Sequence, residues 1–221
     1  MKTIRKFILD LCGGTGAWAK PYADAGYGVA TITLPEHDVR CVEMGQRHLL
    51  FQKQNLHYYD DTCILLSDIH GILAAPPCTE FSLAKGNKPR NLKAAMNIVQ
   101  ACLQIIWHCR LYGNPQFWAL ENPRGLLRQF MGLPAYTFEQ WEFGDAGIKP
   151  TDLWGYFKPP IKTVKKRPEN LVKKYPNGRR NGRGLAKAEC LPEYAHLKLD
   201  RSARRAITPT GFANAFFRAN K

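Results

Sequence analysis

The chain has 221 residues, of which 45% are hydrophobic and 23% are charged. This size allows one full core and excludes two large domains, so we expect a single main domain with at most a small appendage. The formal net charge of +14 is unevenly spread, because residues 1–157 hold 15 Lys/Arg against 14 Asp/Glu, whereas residues 158–221 hold 17 against 4. A neutral body with a basic extension is typical of a protein that binds a polyanion, and a basic tail that only aids solubility is the alternative.

Cysteine usage and the first residues indicate the compartment. The seven cysteines form no C-x-x-C pair and no regular framework, and residues 1–5 contain no apolar signal segment. This pattern is typical of a reducing environment and predicts a cytoplasmic protein. The apolar stretches are too short and too interrupted to span a bilayer, so no membrane role is expected. We also expect a monomer without bound metal.

The chain begins with the pattern of a β-turn-α-β unit. Phe7–Leu11 is an apolar run typical of a buried strand, and a glycine turn follows it. A helix is expected from about residue 17 to residue 25, ended by Gly26, and Gly28–Leu34 is expected to form the second strand. A further strand is predicted over Gly71–Ala75.

Residues 92–112 show the clearest helical pattern, since apolar residues recur there at three- and four-residue steps. These positions are Ala95, Ile98, Val99, Cys102, Ile105, Ile106 and Cys109. Gly113-Asn114-Pro115 ends the helix, and Phe117–Leu120 is the next predicted strand, which ends at Glu121. Strands that alternate with helices predict an α/β fold with a doubly wound, mostly parallel sheet, in which ligands bind at the carboxyl ends of the strands.

The sequence predicts three regions. Residues 1–158 are expected to form the main domain. The composition then changes to Lys, Arg, Gly and Pro, so residues 159–200 are expected to form a small, irregular, basic extension. Residues 201–221 contain Thr208–Phe217, which has the pattern of a capped final helix that packs its aromatic face back on the sheet.

A glycine-rich turn follows the first strand. The sequence Asp10-Leu11-Cys12-Gly13-Gly14-Thr15-Gly16 places three glycines where a strand turns into a helix, so a ligand can approach the backbone and the helix N-terminus. Such a turn can bind an adenine nucleotide or S-adenosylmethionine. No Lys-Ser/Thr pair follows, which argues against an NTP-hydrolysing loop. Trp18 is a candidate for lining this pocket and equally for the core, and a tight turn without a ligand is the alternative interpretation.

A rigid loop containing a cysteine follows the strand predicted at Gly71–Ala75. Cys78 lies in Ala75-Pro76-Pro77-Cys78-Thr79-Glu80-Phe81-Ser82, at a strand end rather than inside an apolar helix. The prolines fix the backbone, so the thiol can be held where a substrate carbon arrives. A positive potential or a nearby helix start would favour the thiolate. A loop cysteine without a function is the alternative.

Glu121 ends the apolar strand Phe117–Leu120. Its carboxylate is expected to emerge from an apolar floor, where desolvation raises the pKa and favours the protonated form. Such an acid could protonate a ring nitrogen, and a helix-capping or ion-paired glutamate is the alternative. Asn122 and Pro123 are expected to shape the turn, and Arg124 to contact a phosphate.

Together these motifs resemble those of the DNA cytosine-5 methyltransferase family, in particular its short phage and prophage members. Asp10–Gly16 is similar to the family's methyl-donor motif, Pro76-Pro77-Cys78 with Phe81-Ser82 to its nucleophile motif, and Glu121-Asn122 to its Glu-Asn motif. The resemblance covers roughly residues 7–160. It implies the Rossmann-like fold of class I S-adenosylmethionine-dependent methyltransferases and a place in the cytoplasm of a bacterium or of a phage-infected host.

The resemblance also implies a mechanism. The Cys78 thiolate would add to carbon 6 of a flipped-out cytosine while Glu121 hydrogen-bonds to or protonates N3, and carbon 5 would then take the methyl group of S-adenosylmethionine. Loss of the carbon-5 proton and elimination of Cys78 would restore the ring. The candidate cofactor-binding residues are Asp10, Cys12, Gly13, Gly14, Thr15, Gly16, Trp18 and Pro76. The candidates for contacts with double-stranded DNA are Ser82, Asn122, Arg124, Lys149, Arg179, Arg180 and Arg183.

The sequence departs from the family pattern at several places. Thr33 ends the second strand where the family has an acidic residue for the cofactor ribose, which leaves Glu36 and Asp38 as substitutes. The family's Arg-x-Arg motif is not visible, and Lys149 is the proposed replacement. Only residues 159–200 are available for target recognition, so we expect short or relaxed sequence selectivity.

Two other functions stay open. The same adduct chemistry serves pyrimidines in tRNA, so an RNA pyrimidine-5 methyltransferase would use the same residues. A basic nucleic-acid-binding protein that has lost catalysis is the second alternative, and the presence of both Cys78 and Glu121 argues against it. A variant methyl donor also stays open, because Thr33 makes the donor pocket unusual. The nucleophile motif has Thr79-Glu80 where the family more often has Gln first.

Overall fold

The computed structural model describes residues 6–53, 62–145, 147–169, 173–174, 180–181 and 192–221. The strands are β1 (Phe7–Leu11), β2 (Gly28–Ile32), β3 (His37–Met44), β4 (His48–Lys53), β5 (Thr62–Leu65), β6 (Ile69–Ala74), β7 (Phe117–Pro123), β8 (Tyr136–Phe138), β9 (Thr151–Tyr156), β10 (Lys173–Lys174) and β11 (Arg180–Asn181). The α-helices are α1 (Lys20–Asp24), α2 (Leu92–Tyr112), α3 (Arg128–Met131), α4 (Arg201–Ala206) and α5 (Thr210–Asn220). The predicted α/β class is therefore confirmed.

The main sheet has six strands in the order β2-β1-β6-β7-β9-β8. Strands β2, β1, β6 and β7 are parallel to one another, and β9 runs antiparallel to both of its neighbours, β7 and β8. The mostly parallel sheet is thus confirmed, and it is compatible with a Rossmann-like fold. The chain moves outward from β1 to β2 on one side and from β6 to β7 on the other. The carboxyl ends of β1 and β6 therefore form the switch point at which such sheets bind ligands.

Strand β1 shows why the sheet is covered on both faces. Four of its five residues are buried, as expected for a parallel strand enclosed between two layers. Leu9 and Leu11 belong to the hydrophobic cluster that contains α2, whereas Ile8 belongs to the cluster that contains Phe212 and Phe216 of α5. Alternate residues of one strand thus hold the two opposite layers together.

The predicted helix over 92–112 is confirmed as α2, which spans Leu92–Tyr112. The Asn91 side chain caps its first turn by accepting a hydrogen bond from the Ala94 N–H at 3.0 Å. The buried face is made of Ala95, Val99, Ala101, Cys102, Ile105, Ile106 and Cys109. Its three- and four-residue spacing is the signal by which the helix could be recognised.

A second, three-stranded antiparallel sheet lies between β2 and β6 in the chain, in the order β3-β4-β5. Leu49, Phe51 and Ile64 of this sheet are buried in the same cluster as α2. The side chain of His108 on α2 also lies 2.8 Å from the Gly45 carbonyl oxygen, within hydrogen-bonding distance. The small sheet therefore serves as packing for the helix, and sequence patterning did not reveal it.

The C-terminal region differs from the prediction of one capped helix that starts at Thr208. It forms two helices, α4 and α5, and Pro209 at the N-cap of α5 makes no side-chain cap. The cap comes instead from Asp145, whose carboxylate accepts hydrogen bonds from Gly211 N at 2.9 Å and Phe212 N at 3.0 Å. A capping group 66 residues away along the chain cannot be recognised from local sequence.

The aromatic face of α5 packs on the sheet. Phe212 stacks on Phe138 with ring centroids 4.0 Å apart, and Phe216 lies 5.7 Å from Phe117 and 5.4 Å from Trp18. These contacts attach the end of the chain to the centre of the fold.

Four elements have boundaries that differ from the predictions, and one of them is β6, which begins at Ile69 rather than Gly71 and ends at Ala74 rather than Ala75. The first helix is limited to Lys20–Asp24 and follows a turn at residues 17–19, and β2 ends at Ile32 rather than Leu34. Strand β7 continues to Pro123, so Glu121 lies within the strand, opposite Leu153 of β9. Pairing with the antiparallel neighbour β9 prolongs β7 beyond its apolar run.

Within the described residues, the basic extension contains the two-residue pair β10 and β11 and a 3-10 helix at Pro192–Leu197. Near its start, Asn220 of α5 binds the backbone of Lys158, accepting from its N at 2.8 Å and donating to its carbonyl at 3.0 Å. Across the ranges that the structure covers, no helix is both long enough and apolar enough to cross a bilayer.

Candidate functional site

Asp10, near the end of β1, is a fully buried carboxyl group. Neither of its side-chain oxygens has a hydrogen-bond partner among the described residues. Burial raises its pKa to about 7. A Cβ on Gly13 would overlap this carboxylate, so only glycine allows the turn to pass over it. Asp10 and Gly13 together form a cradle in which the carboxyl oxygens of Asp10 can accept hydrogen bonds from a ligand.

The rest of the glycine turn is ordered by its own backbone. Gly16 N donates to Gly13 O at 3.0 Å, and Cys12 N donates to Ile32 O at 2.7 Å. Cys12 has a positive φ of 57°, and Gly14 and Gly16 also have positive φ. Gly14 is exposed and Thr15 half-buried. The turn therefore opens toward the surface above a buried carboxyl group.

Trp18, a candidate cofactor residue, lies in the core. Its side chain is 2% exposed, and its ring contacts Phe212 and Phe216 at centroid distances of 5.8 and 5.4 Å. Its Nε1–H has no partner in the part of the chain that the structure describes. Of the two interpretations left open by the sequence, the structure supports the core residue.

The loop that carries Cys78 is fastened to the strands on both sides. At its start, Ala75 N donates to Leu11 O of β1 at 2.9 Å. The buried Pro76 accepts a hydrogen bond from Asn122 Nδ2 of β7, also at 2.9 Å. The Cys78 loop is thereby held between the glycine turn at the end of β1 and the strand that contains Glu121.

The second half of the loop is a tight turn around Cys78 itself. The Cys78 carbonyl accepts hydrogen bonds from Phe81 N at 3.0 Å and Ser82 N at 2.9 Å. Phe81 O accepts in turn from Leu126 N at 2.9 Å, and Ser82 pairs with Gly125. The Ser82 hydroxyl accepts from Ala84 N at 3.2 Å, so this candidate substrate residue also supports the loop.

Two residues that sequence reasoning did not place in the site, Arg90 and Glu80, hold the outer part of the loop. The Arg90 guanidinium donates to the carbonyls of Glu80, Ser82 and Gly86 at 2.5, 3.0 and 3.1 Å. The Glu80 carboxylate accepts from Lys85 Nζ at 2.5 Å and from the backbone N of Asn91 at 2.6 Å. The only sequence signal was that the pair Thr79-Glu80 stands where the resembled family more often has Gln first.

Glu121 is half-buried in β7, and the pKa of its carboxyl is raised. Burial is the main cause, and the nearby Asp152 adds to it, whereas Lys149 acts in the opposite direction. The buried Asp152 is itself paired with Arg128, at 2.6 Å for both nitrogen–oxygen contacts, and with Thr137 at 2.9 Å. The expected increase in the pKa of Glu121 therefore agrees with its surroundings.

The thiol of Cys78 is half-buried, and burial raises its pKa. Lys149 lowers it, Glu121 raises it, and Arg205 lowers it. Since burial dominates, the thiol is protonated at neutral pH, which differs from the expectation that positive potential alone would favour the thiolate. The two cations limit the increase in pKa without cancelling it. The fold thus brings Cys78, Glu121, Lys149 and Arg205 into one electrostatic group.

Lys149 is half-buried and lies beside Glu121. Its Nζ donates to the Arg205 carbonyl at 3.4 Å. A small cleft beside it is lined by Glu121, Gln140, Ile207 and Thr208, among other residues. The segment between α4 and α5 therefore forms one wall of the cleft next to Glu121.

The other predicted contact residues fall into different environments. Arg124 is exposed, so a phosphate could reach its side chain, and its backbone N donates to Pro150 O at 2.9 Å. Asn122 is fully buried, and its amide is bound to Pro76. Its amide thus positions the Cys78 loop, and its contact with DNA stays a prediction. Its Oδ1 has no partner among the described residues.

Asp38 and Glu36, the two carboxylates that could replace the acidic residue missing at the end of the second strand, have different surroundings. Asp38 accepts hydrogen bonds from Arg40, from its backbone N at 2.8 Å and its Nε at 2.9 Å, and this pairing lowers the pKa of Asp38. Glu36 is exposed. Asp38 is thus already engaged, and Glu36 is the more accessible carboxylate near the end of β2.

Arg179 and Arg183 lie outside the described residues, and only the backbone of Arg180 is described, in β11. Within the described ranges, no group of three or more His, Cys, Asp and Glu side chains is arranged to hold a metal ion.

Comparison with known proteins gave no family assignment. No protein-family model matches the chain, and no curated protein matches it significantly.

Proposed function

We propose that the chain is a DNA cytosine-5 methyltransferase that uses S-adenosylmethionine. The observation that carries this proposal is the fastening of the Cys78 loop to both neighbours, through Ala75 N to Leu11 O and through Pro76 O to Asn122. The candidate nucleophile Cys78, the candidate acid Glu121 and the glycine turn after β1 thereby lie along one edge of the sheet. These three parts are what a cysteine adduct to a pyrimidine requires.

The cradle at β1 fits a cationic, hydroxyl-bearing donor molecule. Asp10 offers two buried oxygens that lack partners among the described residues, and Gly13 leaves room above them. S-adenosylmethionine has ammonium and hydroxyl donors that could satisfy such oxygens, and when bound it would supply an electrophilic methyl group. Asp10 would hold the donor, with the backbone of Gly13–Gly16 around it. Glu36 is the accessible carboxylate for a ribose.

The pKa values of Cys78 and Glu121 are both raised, which would allow one proton to pass between these two side chains during the reaction. At rest Cys78 is a thiol, and Glu121 is the nearby base. Transfer of the thiol proton to Glu121 produces the thiolate and a neutral acid, and the negative charge then lies on Cys78, where Lys149 and Arg205 both stabilise it. The thiolate then forms a bond to carbon 6 of the base while Glu121 gives the same proton to N3.

Addition at carbon 6 makes carbon 5 nucleophilic, so that it can be methylated. A base then removes the carbon-5 proton, the bond from Cys78 to carbon 6 breaks, and the ring regains its aromaticity. N3 returns its proton to Glu121, Glu121 gives it back to the departing Cys78 thiolate, and the site is restored. A cytosine within a stacked duplex cannot reach this edge, so the target has to be flipped out.

The charge distribution supports a nucleic acid as the substrate. Residues 158–221 hold 17 Lys/Arg against 4 Asp/Glu, and Arg124 is exposed just after Glu121 and Asn122. Cations near the site would hold the phosphates on either side of a flipped base.

Trapping with a fluorinated base tests the proposal. Duplex DNA that contains 5-fluorocytosine cannot lose a proton from carbon 5, so the Cys78 adduct should persist in the presence of S-adenosylmethionine. Intact-mass measurement should show a protein–DNA conjugate for the wild type and none for Cys78→Ser. A matched RNA substrate shows which nucleic acid is used. Absence of a conjugate with both substrates, while S-adenosylmethionine binds, would contradict the proposed chemistry.

A further inference from the structure

The segment that joins α4 to α5 comes from the C-terminal part of the chain and reaches the rim of the site. The Arg205 carbonyl accepts a hydrogen bond from Lys149 at 3.4 Å. The residues that follow, Ala206, Ile207 and Thr208, line the cleft beside Glu121. The backbone of Arg205 is therefore fixed at the rim of the Cys78–Glu121 site, and its side chain is half-buried.

The charges around this rim are unbalanced. Lys149 and Arg205 are both near enough to influence Cys78, and Glu121 is the acid of the same group. Asp152, the other carboxyl near Glu121, is already occupied by the guanidinium of Arg128. Among the described residues of this rim, two cations thus face one carboxyl group that has no cation bound to it as closely as Arg128 is bound to Asp152. Such an excess of positive charge next to a cleft favours an anionic ligand group.

We propose that Arg205 binds the phosphate that flanks the reacting nucleotide and holds the base above Cys78. This inference rests on the proposed function and adds a residue to it. A guanidinium is suited to this role, because its planar set of donors matches two phosphate oxygens at once. Lys149, tied to the Arg205 carbonyl, keeps the segment in place. Arg205 is then a substrate-binding residue that the basic C-terminal third supplies to the site.

The first test needs no substrate. The full chain and its Arg205→Gln variant are alkylated with iodoacetamide between pH 6.5 and 9.5, and modification of Cys78 is followed by peptide mass spectrometry. Loss of Arg205 should move the midpoint of Cys78 reactivity to higher pH, because a cation that lowers the thiol pKa is gone. The exposed Cys63 serves as an internal reference. Arg204→Gln removes the same charge from the adjacent position of α4 and should leave the midpoint nearly unchanged.

The second test measures phosphate recognition. Deoxycytidine and its 5′- and 3′-monophosphates are compared for protection of Cys78 from alkylation. In the wild type and in Arg204→Gln, one monophosphate should protect at a concentration about fivefold or more below that of deoxycytidine, which corresponds to one charge-assisted hydrogen-bonded pair. In Arg205→Gln this advantage should disappear, and Arg205→Lys should restore part of it.

The outcomes separate the two proposals. An unchanged phosphate advantage in Arg205→Gln, equal protection by all three compounds in the wild type, or no protection at all would overturn the role of Arg205. A phosphate advantage that depends on Arg205 in a protein that transfers no methyl group would support this inference and overturn the proposed function. Thermal melting of each variant shows that it is folded.

Discussion

Asp10 shows at the scale of one residue how a buried carboxyl group lowers stability. Its carboxyl group is fully buried, has no partner among the described residues, and has a pKa that burial raises to about 7. When this group is ionised, it opposes folding. The unfolded chain releases this proton near pH 4. The folded state therefore binds more protons than the unfolded state between about pH 4 and pH 7, and the free energy of unfolding should decrease as the pH rises through that range.

Asp10→Asn tests this account. The variant should be more stable than the wild type at pH 8, by up to about 4 kcal/mol, and the difference should shrink toward zero near pH 4. Urea denaturation at several pH values measures it. The same substitution should weaken binding of S-adenosylmethionine, which calorimetry can follow. A stability difference that does not change with pH would contradict the assigned state of Asp10.

The substitution Glu121→Gln is expected to change two rates in opposite directions. Methyl transfer should decrease by about 10²- to 10⁴-fold, the usual contribution of a positioned acid or base, because glutamine can neither accept the thiol proton nor give it to N3. Alkylation of Cys78 should become faster at a given pH, because Glu121 raises the pKa of the thiol. Parallel rate measurements on one preparation separate the two effects. Slower alkylation, or retained methyl transfer, would refute the assigned pairing.

Residues of the site differ in how visible they are in the sequence. Asp10, Cys78 and Glu121 stand out because each follows or ends an apolar run next to glycine or proline. Arg205 could not be recognised, because it lies more than eighty residues beyond Glu121 in a basic segment where many cations look alike. Arg90 was equally hidden, since its partners are backbone carbonyls, which leave no trace in sequence pattern.

At the scale of elements, the turn after β7 determines where the Cys78 loop lies. Gly125 pairs with Ser82, and a Cβ at Gly125 would overlap the Phe81 carbonyl oxygen. Gly125→Ala should push the loop away and lower the free energy of unfolding by about 1–3 kcal/mol. Gln129→Ala, at an exposed position nearby, should change stability by less than about 0.5 kcal/mol.

Thermal melting and single-turnover methyl transfer measure the consequences of Gly125→Ala. Because the loop carries Cys78, activity should decrease more than the small loss of stability explains. Wild-type activity in a stably folded Gly125→Ala protein would show that the loop does not need this close contact.

The helix α5 offers a second test among the elements. Asp145→Ala removes the carboxylate that accepts from Gly211 N and Phe212 N, and it should destabilise the protein by about 1–2 kcal/mol. Thr210→Ala should have little effect, because no Thr side chain provides the cap. Chemical denaturation of the two variants compares them directly. A larger effect at Thr210 than at Asp145 would contradict the capping role of Asp145.

Sequence patterning identified elements unequally well, and the reasons are physical. Helix α2 was predicted to its last residue because one continuous face is buried. Strands β3 and β4 were not predicted, because they pack against α2 and do not belong to the main sheet. In addition, β3 buries the polar residues His37 and Asp38 at its start and is largely exposed afterwards, so it lacks the alternation that marks a half-buried strand.

For the whole molecule, the uneven charge predicts how nucleic acid is bound. Replacing Arg179, Arg180 and Arg183 by glutamine should weaken binding to duplex DNA. The slope of log K against log salt concentration should become shallower, by up to about 3 if all three contact phosphates. Fluorescence anisotropy at several salt concentrations measures both quantities.

A control variant distinguishes local contacts from total charge. Glutamine at Lys20, Arg47 and Arg110 removes the same number of charges from the main body. Equal losses of affinity and equal slopes in the two triple variants would show that net charge alone is responsible and that residues 159–200 make no specific contribution.

Methyl transfer to DNA is the central claim for the molecule as a whole. Purified protein would be incubated with S-adenosylmethionine and unmodified duplex DNA, and the DNA digested to nucleosides for mass spectrometry. We predict 5-methylcytosine with the wild type and none with Cys78→Ala, while the variant still binds S-adenosylmethionine in calorimetry. Absence of 5-methylcytosine from wild-type reactions despite donor binding, or its formation by Cys78→Ala, would contradict the account.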